Sequence, residues 1–147
     1  LKAQSVTHRK SSVVIGIGLF ALGCFNAPAD VVVIVSAKSA VETLTRAQVA
    51  DLFLGKSTSF PGGTSAVPLD QSVGAAQREE FHAKVTEKTG SQLKFYWAKQ
   101  VFQSKGLPPK EIKGDDAVRR LVADNPNFIG YVDRKAVNSS VKVVFEP

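Results

Sequence analysis

Cysteine is almost absent from this chain, with Cys24 the only one in 147 residues. A single thiol makes neither an internal disulfide nor a cysteine zinc cluster, so neither can staple the fold. Histidine is nearly as scarce: His8 and His82 are the only two, and they supply no familiar metal-ligand spacing. No cysteine or serine nucleophile stands at a known spacing from His82, which is expected on the surface of a helix. The adjacent acids Glu79 and Glu80 diverge around a helix and do not form an acid–base pair. Asp115 and Asp116 are expected to serve a helix start. No catalytic set remains, so the chain is not expected to be an enzyme, and no cofactor or metal is expected. A long basic stripe is missing too. Beyond residue 30 the only adjacent basic pairs are Arg119-Arg120 and Arg134-Lys135, which argues against a nucleic-acid partner.

Acidic residues are missing before Asp30. The basic start at His8-Arg9-Lys10 leads into an apolar run from Val13 to Gly23, shorter than the about 20 residues of a membrane-spanning helix. Ala27-Pro28-Ala29 then places small residues where a signal peptidase reads them. Residues 1–29 are therefore expected to be a cleaved export signal and 30–147 a single periplasmic domain. Lipidation at Cys24 is the second option, because Gly23-Cys24 faintly resembles a lipoprotein signal. The formal charge of +6 falls to +3 once Lys2, Arg9 and Lys10 are removed, leaving 16 basic and 13 acidic residues. A mildly positive body favours small anions only weakly.

Two glycine motifs fail on context. Gly16 to Ala21 matches a dinucleotide fingerprint, but it lies inside the apolar run. Gly55-Lys56-Ser57 resembles the end of a phosphate-binding P-loop, but Ala50 stands where that loop needs a glycine.

Periodicity gives the order of elements. Asp30 to Val35 is a β-branched strand buried on both faces, followed by a loop over Ser36 to Glu42. Thr45 and Gln48 form a capping box, Leu44 can staple to Val49, and Gly55 closes that helix. Ala66 to Leu69 is a short strand. Ser72 is expected to cap a helix over Val73 to Lys88, with Phe81 and Val85 inward and Gly90 as its stop. A helix over Ser91 to Ser104 places Leu93, Trp97 and Val101 in one buried stripe. Asp115 is expected to cap a helix carrying Val118, Leu121 and Val122. Phe128 to Val132 and Val141 to Phe145 are strands. This order implies an α/β fold with a mixed sheet flanked by helices.

The turn between Leu69 and Arg78 carries the one functional signal. Strand, polar turn and helix start together expose N–H groups that favour an anion. Ser72 and the backbones of Gly74 and Ala75 would donate, Asp70 would accept a proton from a protonated oxyanion, and Arg78 would neutralise charge through a forked contact. At the edge of the buried face, Arg78 needs an acceptor: a bound oxyanion, or a carboxylate such as Asp70. The plainer alternative is a capped helix start with Arg78 in water.

Several segments together resemble a family. Leu44 to Lys56, with Gln48-Val49-Ala50-Asp51-Leu52-Phe53-Leu54-Gly55-Lys56 at its centre, is similar to a segment of the phosphate ABC-transporter substrate-binding proteins. Phe128-Ile129-Gly130-Tyr131-Val132 is similar to their return strand. Asp70 to Arg78 falls where they carry a serine-glycine-threonine anion loop. Arg78-Glu79-Glu80-Phe81 and Leu93-Lys94-Phe95-Tyr96-Trp97 resemble a short branch of that family. The resemblance covers residues 31 to 145 or so. It implies a single lobe of a type II periplasmic-binding-protein-like fold, with phosphate or a related inorganic oxyanion as ligand and ABC transporter membrane subunits as partners. Family members are longer and close two lobes on the anion, and here Gly74-Ala75 replaces glycine-threonine, which removes one hydroxyl. An interaction module that keeps the fold without transport-grade binding, including one that self-associates, is the alternative.

Overall fold

The computed structural model describes residues 29–147. The expected export signal, Cys24 and the rejected fingerprint at Gly16 lie outside the described residues, apart from Ala29. Strand β1 (Val31–Ser36) is buried at every position. The reason is its place in a five-stranded sheet covered on both faces. Val31, Val33 and Val35 join one core with Val49, Phe53, Phe81 and Tyr131; Val32 and Ile34 join another with Leu69, Val118, Val122 and Val132. Successive side chains of a strand point to opposite faces, so a continuous apolar run suits a strand roofed on both sides.

The remaining strands are β2 (Val67–Gln71), β3 (Lys110–Ile112), β4 (Phe128–Asp133) and β5 (Val141–Phe145). Their order is β3-β2-β4-β1-β5. β2 runs parallel to β3 and β4, whereas β1 runs antiparallel to β4 and β5, so the sheet is mixed as expected.

Helix α1 (Arg46–Phe53) starts as its sequence requires. The Gln48 N–H donates to Thr45 Oγ1 at 3.2 Å, and the Thr45 N–H donates back to Gln48 Oε1 at 2.8 Å. Gly55 follows in the left-handed region at φ +69°. Helix α3 (Gly90–Phe102) has the same device at Thr89 and Gln92, so Gly90 opens a helix instead of ending one. Leu93 and Trp97 are buried on α3 as expected, but Val101 is exposed. Helix α4 (Asp115–Asp124) buries Val118 and Val122 while Leu121 turns outward; its cap is Gly114, not Asp115.

Three further differences shape the region of interest. β3 is a strand that the residues after Pro108-Pro109 did not signal. The helix expected over Val73 to Lys88 is shorter: α2 spans Ala76–Phe81 and passes into a π-helical turn over His82–Thr86. It cannot start at Val73, because the Ala75 N–H donates to the Ser72 carbonyl at 3.1 Å and Gly74 takes φ +87°. Ala75 is the N-cap residue and supplies no side-chain bond, so Ser72 does not cap the helix.

Helix α4 lies close against β4 at Gly130. A Cβ on Gly130 would come within 2.6 Å of Val118 Cγ1, and valine has little rotamer freedom with which to yield. Gly130→Ala is therefore expected to cost about 1–3 kcal/mol as an overpacking change. Urea unfolding checks this, and pairing it with Val118→Ala should recover part of the loss. No recovery would mean that the clash is not the cause.

Candidate functional site

β2 ends in Asp70 and Gln71, and both are buried although polar. A buried polar group needs partners, and these two have them. The Tyr131 hydroxyl of β4 donates to Asp70 Oδ1. The Gln71 N–H donates to the same oxygen at 2.9 Å and lies 3.1 Å from the Tyr131 hydroxyl. His82 Nε2 lies 3.1 Å from Asp70 Oδ2, and Arg78 Nη1 lies 3.5 Å from it. The Gln71 side chain donates to the Tyr131 carbonyl at 3.0 Å and to Asp115 Oδ1 at 2.6 Å.

His82 is the main correction to the reading of this helix, since it is 2% exposed and not a surface residue. It opens the π turn, with its ring against Asp70 of β2 and Thr86 of the same turn. Its ring packs on Phe81 at 5.0 Å between centroids, and Nδ1 lies 3.1 Å from the Thr86 hydroxyl. Phe81 in turn stacks on Tyr131 at 4.0 Å with the rings 4° from parallel. Burial pushes the Asp70 pKa up. The hydrogen bond and electrostatic pull of His82, the Tyr131 hydroxyl and the Arg78 guanidinium more than offset that, and the net result is a lowered pKa. Tyr131 is pushed up, by burial first and by the Asp70 charge second.

Arg78 stands where β2, β3 and α2 meet. Its side chain is only 13% exposed. Nη1 donates to the Gln71 carbonyl at 2.8 Å and to Glu111 Oε1 of β3 at 2.9 Å. Of the two acceptors expected, the protein supplies the carboxylate, and Glu111 contributes more directly than Asp70. Nε and Nη2 have no protein acceptor among the described residues, yet neither is sealed from solvent. Arg78 lines a groove of about 950 Å³ between the β2–α2 turn, the first half of α3 and Pro108-Pro109. Lys94, Thr89 and Ser91 also line it.

The five expected site residues therefore cluster at one end of β2, but not as equals. Arg78 and Asp70 both border the groove. Both carboxylate oxygens of Asp70 are engaged from within the protein. Ala75 spends its N–H on the Ser72 carbonyl, while the Gly74 N–H has no acceptor among the described residues. The Ser72 hydroxyl makes no bond to the α2 backbone. Val73, whose N–H donates to Glu111 Oε1 at 3.1 Å, and Glu111 itself were not anticipated. No sequence signal marks Glu111, because only the pairing of a three-residue strand with β2 brings it to the turn. Gln71 and His82 carried a faint signal in being polar beside apolar core positions. Among the described residues, no group of three or more His, Cys, Asp or Glu side chains could hold a metal ion, and no helix is long and apolar enough to cross a membrane.

No family profile and no curated protein match this chain. Solved structures do. A protein from Clostridium perfringens described as a phosphate ABC transporter substrate-binding protein, solved with phosphate bound, superposes at TM-score 0.64 with 22% identity over 79% of this chain. An ABC-type phosphate transport receptor from Vibrio cholerae gives 0.63 with 15% identity over 79%. PstS from Borrelia burgdorferi gives 0.59 with 11% identity over 79%. The chain spans less than half the length of these proteins: 44%, 45% and 46% respectively. What the mixed sheet and its two helical faces amount to is the fold of one lobe of a phosphate-transport substrate-binding protein.

Proposed function

We propose that this chain is a periplasmic binding protein for a small inorganic oxyanion, phosphate first among them, serving an ABC transport system and performing no chemistry on its ligand. The observation that carries this reading is Arg78. Its guanidinium is held through Nη1, Nε and Nη2 have no protein acceptor among the described residues, and the residue lines the groove; a held fork with spare donors suits a tetrahedral oxyanion. The Gly74 N–H and the Ser72 hydroxyl lie on the same turn and would add donors. Ala75 would hold the shape of the turn. Asp70 would orient Arg78 and would not itself take a proton from the ligand, because its oxygens are already engaged. The likeness of fold to phosphate-transport proteins supports the choice of ligand class. In this reading residues 1–29 are an export signal, which sequencing the N-terminus of the exported protein would check.

Calorimetric titration of the protein with phosphate, sulfate and molybdate tests the reading. Binding of at least one is expected, and weakly for residues 29–147 alone, because the lobe they form leaves the anion open to water. No heat and no thermal shift at millimolar ligand would end it.

A second reading has its own observation. Phe95 and Phe102 lie seven residues apart on α3, opposite Leu93 and Trp97, and Phe102 is 90% exposed. Exposed aromatics on one helix face suit a protein contact, including one with a second copy. Sedimentation showing a strict monomer at high concentration would remove self-association.

A further inference from the structure

The turn proposed to receive an oxyanion already holds an anionic group of the protein itself. Glu111 Oε1 accepts from the Val73 N–H at 3.1 Å and from Arg78 Nη1 at 2.9 Å. One backbone N–H and one guanidinium are the donors that a phosphate oxygen would use there, and a carboxylate is the nearest chemical likeness to such an oxygen within a protein. We propose that Glu111 is an intramolecular competitor for the site: it occupies the Val73–Arg78 donors when no ligand is bound and must leave for an oxyanion to engage them fully. This inference rests on the oxyanion reading above.

The surroundings of Glu111 allow it to leave. Its side chain is 51% exposed, so swinging into solvent exposes no buried packing. It stands on β3, the three-residue edge strand, which among the described residues pairs only with β2. An exposed ion pair of this kind is weak and screened by salt, so it can be displaced. Asp70, the other carboxylate beside Arg78, is different. It is 3% exposed and fixed by Tyr131, Gln71 and His82, so it cannot be displaced without breaking the core. The two acids thus divide the work: Asp70 holds Arg78 permanently and Glu111 holds it conditionally. Whenever a site is open for only a fraction of the time, its apparent affinity falls by that fraction. A ligand carrying more negative charge pulls harder on Arg78 but is also repelled more by Glu111 while that side chain remains nearby. The acid therefore sets a threshold for entry.

Inorganic phosphate titrated into the full chain and into its Glu111→Gln and Glu111→Ala forms tests this. Glu111→Ala should tighten binding about two- to fivefold, the range of an exposed ion pair. Glu111→Gln should fall between, since an amide oxygen still accepts from Val73 but carries no charge. The gain should vanish when Arg78→Ala is added. If the wild type binds phosphate and neither Glu111 variant binds it more tightly, Glu111 is no competitor and the oxyanion reading stands without it. A gain that survives Arg78→Ala places the anion elsewhere and also overturns the inference. If none of the forms binds, the oxyanion reading falls and this inference falls with it.

Discussion

Asp70→Asn should lower stability by about 3–5 kcal/mol, the cost of breaking a buried charge pair from one side. The substitution keeps the shape and removes the charge that His82 and Arg78 face. An amide oxygen can still accept from the Tyr131 hydroxyl and the Gln71 N–H at Oδ1, but its NH2 group then faces His82 and Arg78, where an acceptor is needed. The same carboxylate gives the protein an acid limb. Its folded pKa is depressed below the ordinary value of 3.8, so its contribution is complete above that value and is lost as pH falls through the lowered folded value. Stability followed by urea unfolding should therefore drop below about pH 4 in the wild type, with the Asp70 share of that drop missing from Asp70→Asn. A loss near 1 kcal/mol or less, the size of an exposed pair, would show that the network is not what holds β2 to β4.

Arg78→Ala should weaken oxyanion binding by about 1.5–3 kcal/mol, the range for hydrogen bonds to charged groups. Stability should fall too, though by less than with Asp70→Asn. The Gln71 carbonyl, Asp70 and Glu111 all lose a donor, but Asp70 keeps Tyr131, the Gln71 N–H and His82. Arg78→Lys separates the two effects. A lysine keeps a charge beside the carboxylates and so should restore much of the stability. It has no planar fork with spare nitrogens and so should not restore affinity. Should Arg78→Lys bind as tightly as the wild type, forked recognition is not the basis of binding. Should Arg78→Ala change stability alone, Arg78 is a structural tie and the groove binds its ligand by other means.

What could be read in the residues, and what could not, follows from the range of the forces involved. The start of α1 was legible because Thr45, Gln48 and Leu44 act within one turn, and β1 because burial on both faces leaves a run of valines. The same local logic, applied to Thr89 and Gln92, would have placed the start of α3 correctly had Gly90 not looked like a stop. α2 misled because Ser72 has the right chemistry for a cap but the wrong geometry. Gly74 takes a left-handed turn there, and no neighbouring residue type announces it. His82 reads as a surface residue because no partner for it stands nearby on its own helix; the carboxylate that receives it, Asp70, is on β2, twelve residues away. The spacing to Phe81 puts Arg78 at the edge of the buried face, and its side chain is 13% exposed there. Its main charged partner, Glu111, is 33 residues away in sequence and reaches it only through sheet pairing. Local chemistry is written locally, whereas a site assembled by β2 and β3 together is written in no single segment.

The position of β1 between β4 and β5 has a consequence for how the chain acquires its shape. Val31 pairs with Asp133 and Ser36 with Val141, so the first strand finds both its neighbours among the last residues described. Arg134 ties Asp30 to Glu146 across the same seam. Pairings so distant along the chain come late and slowly, because closing the intervening loop costs entropy before any contact repays it. During synthesis the β1 valines lack these two neighbours until β4 and β5 emerge, so this part of the sheet forms only after about a hundred further residues have been added. The threading of β1 between β4 and β5 thus acts as a timer: the pairing of the first strand waits for the last two.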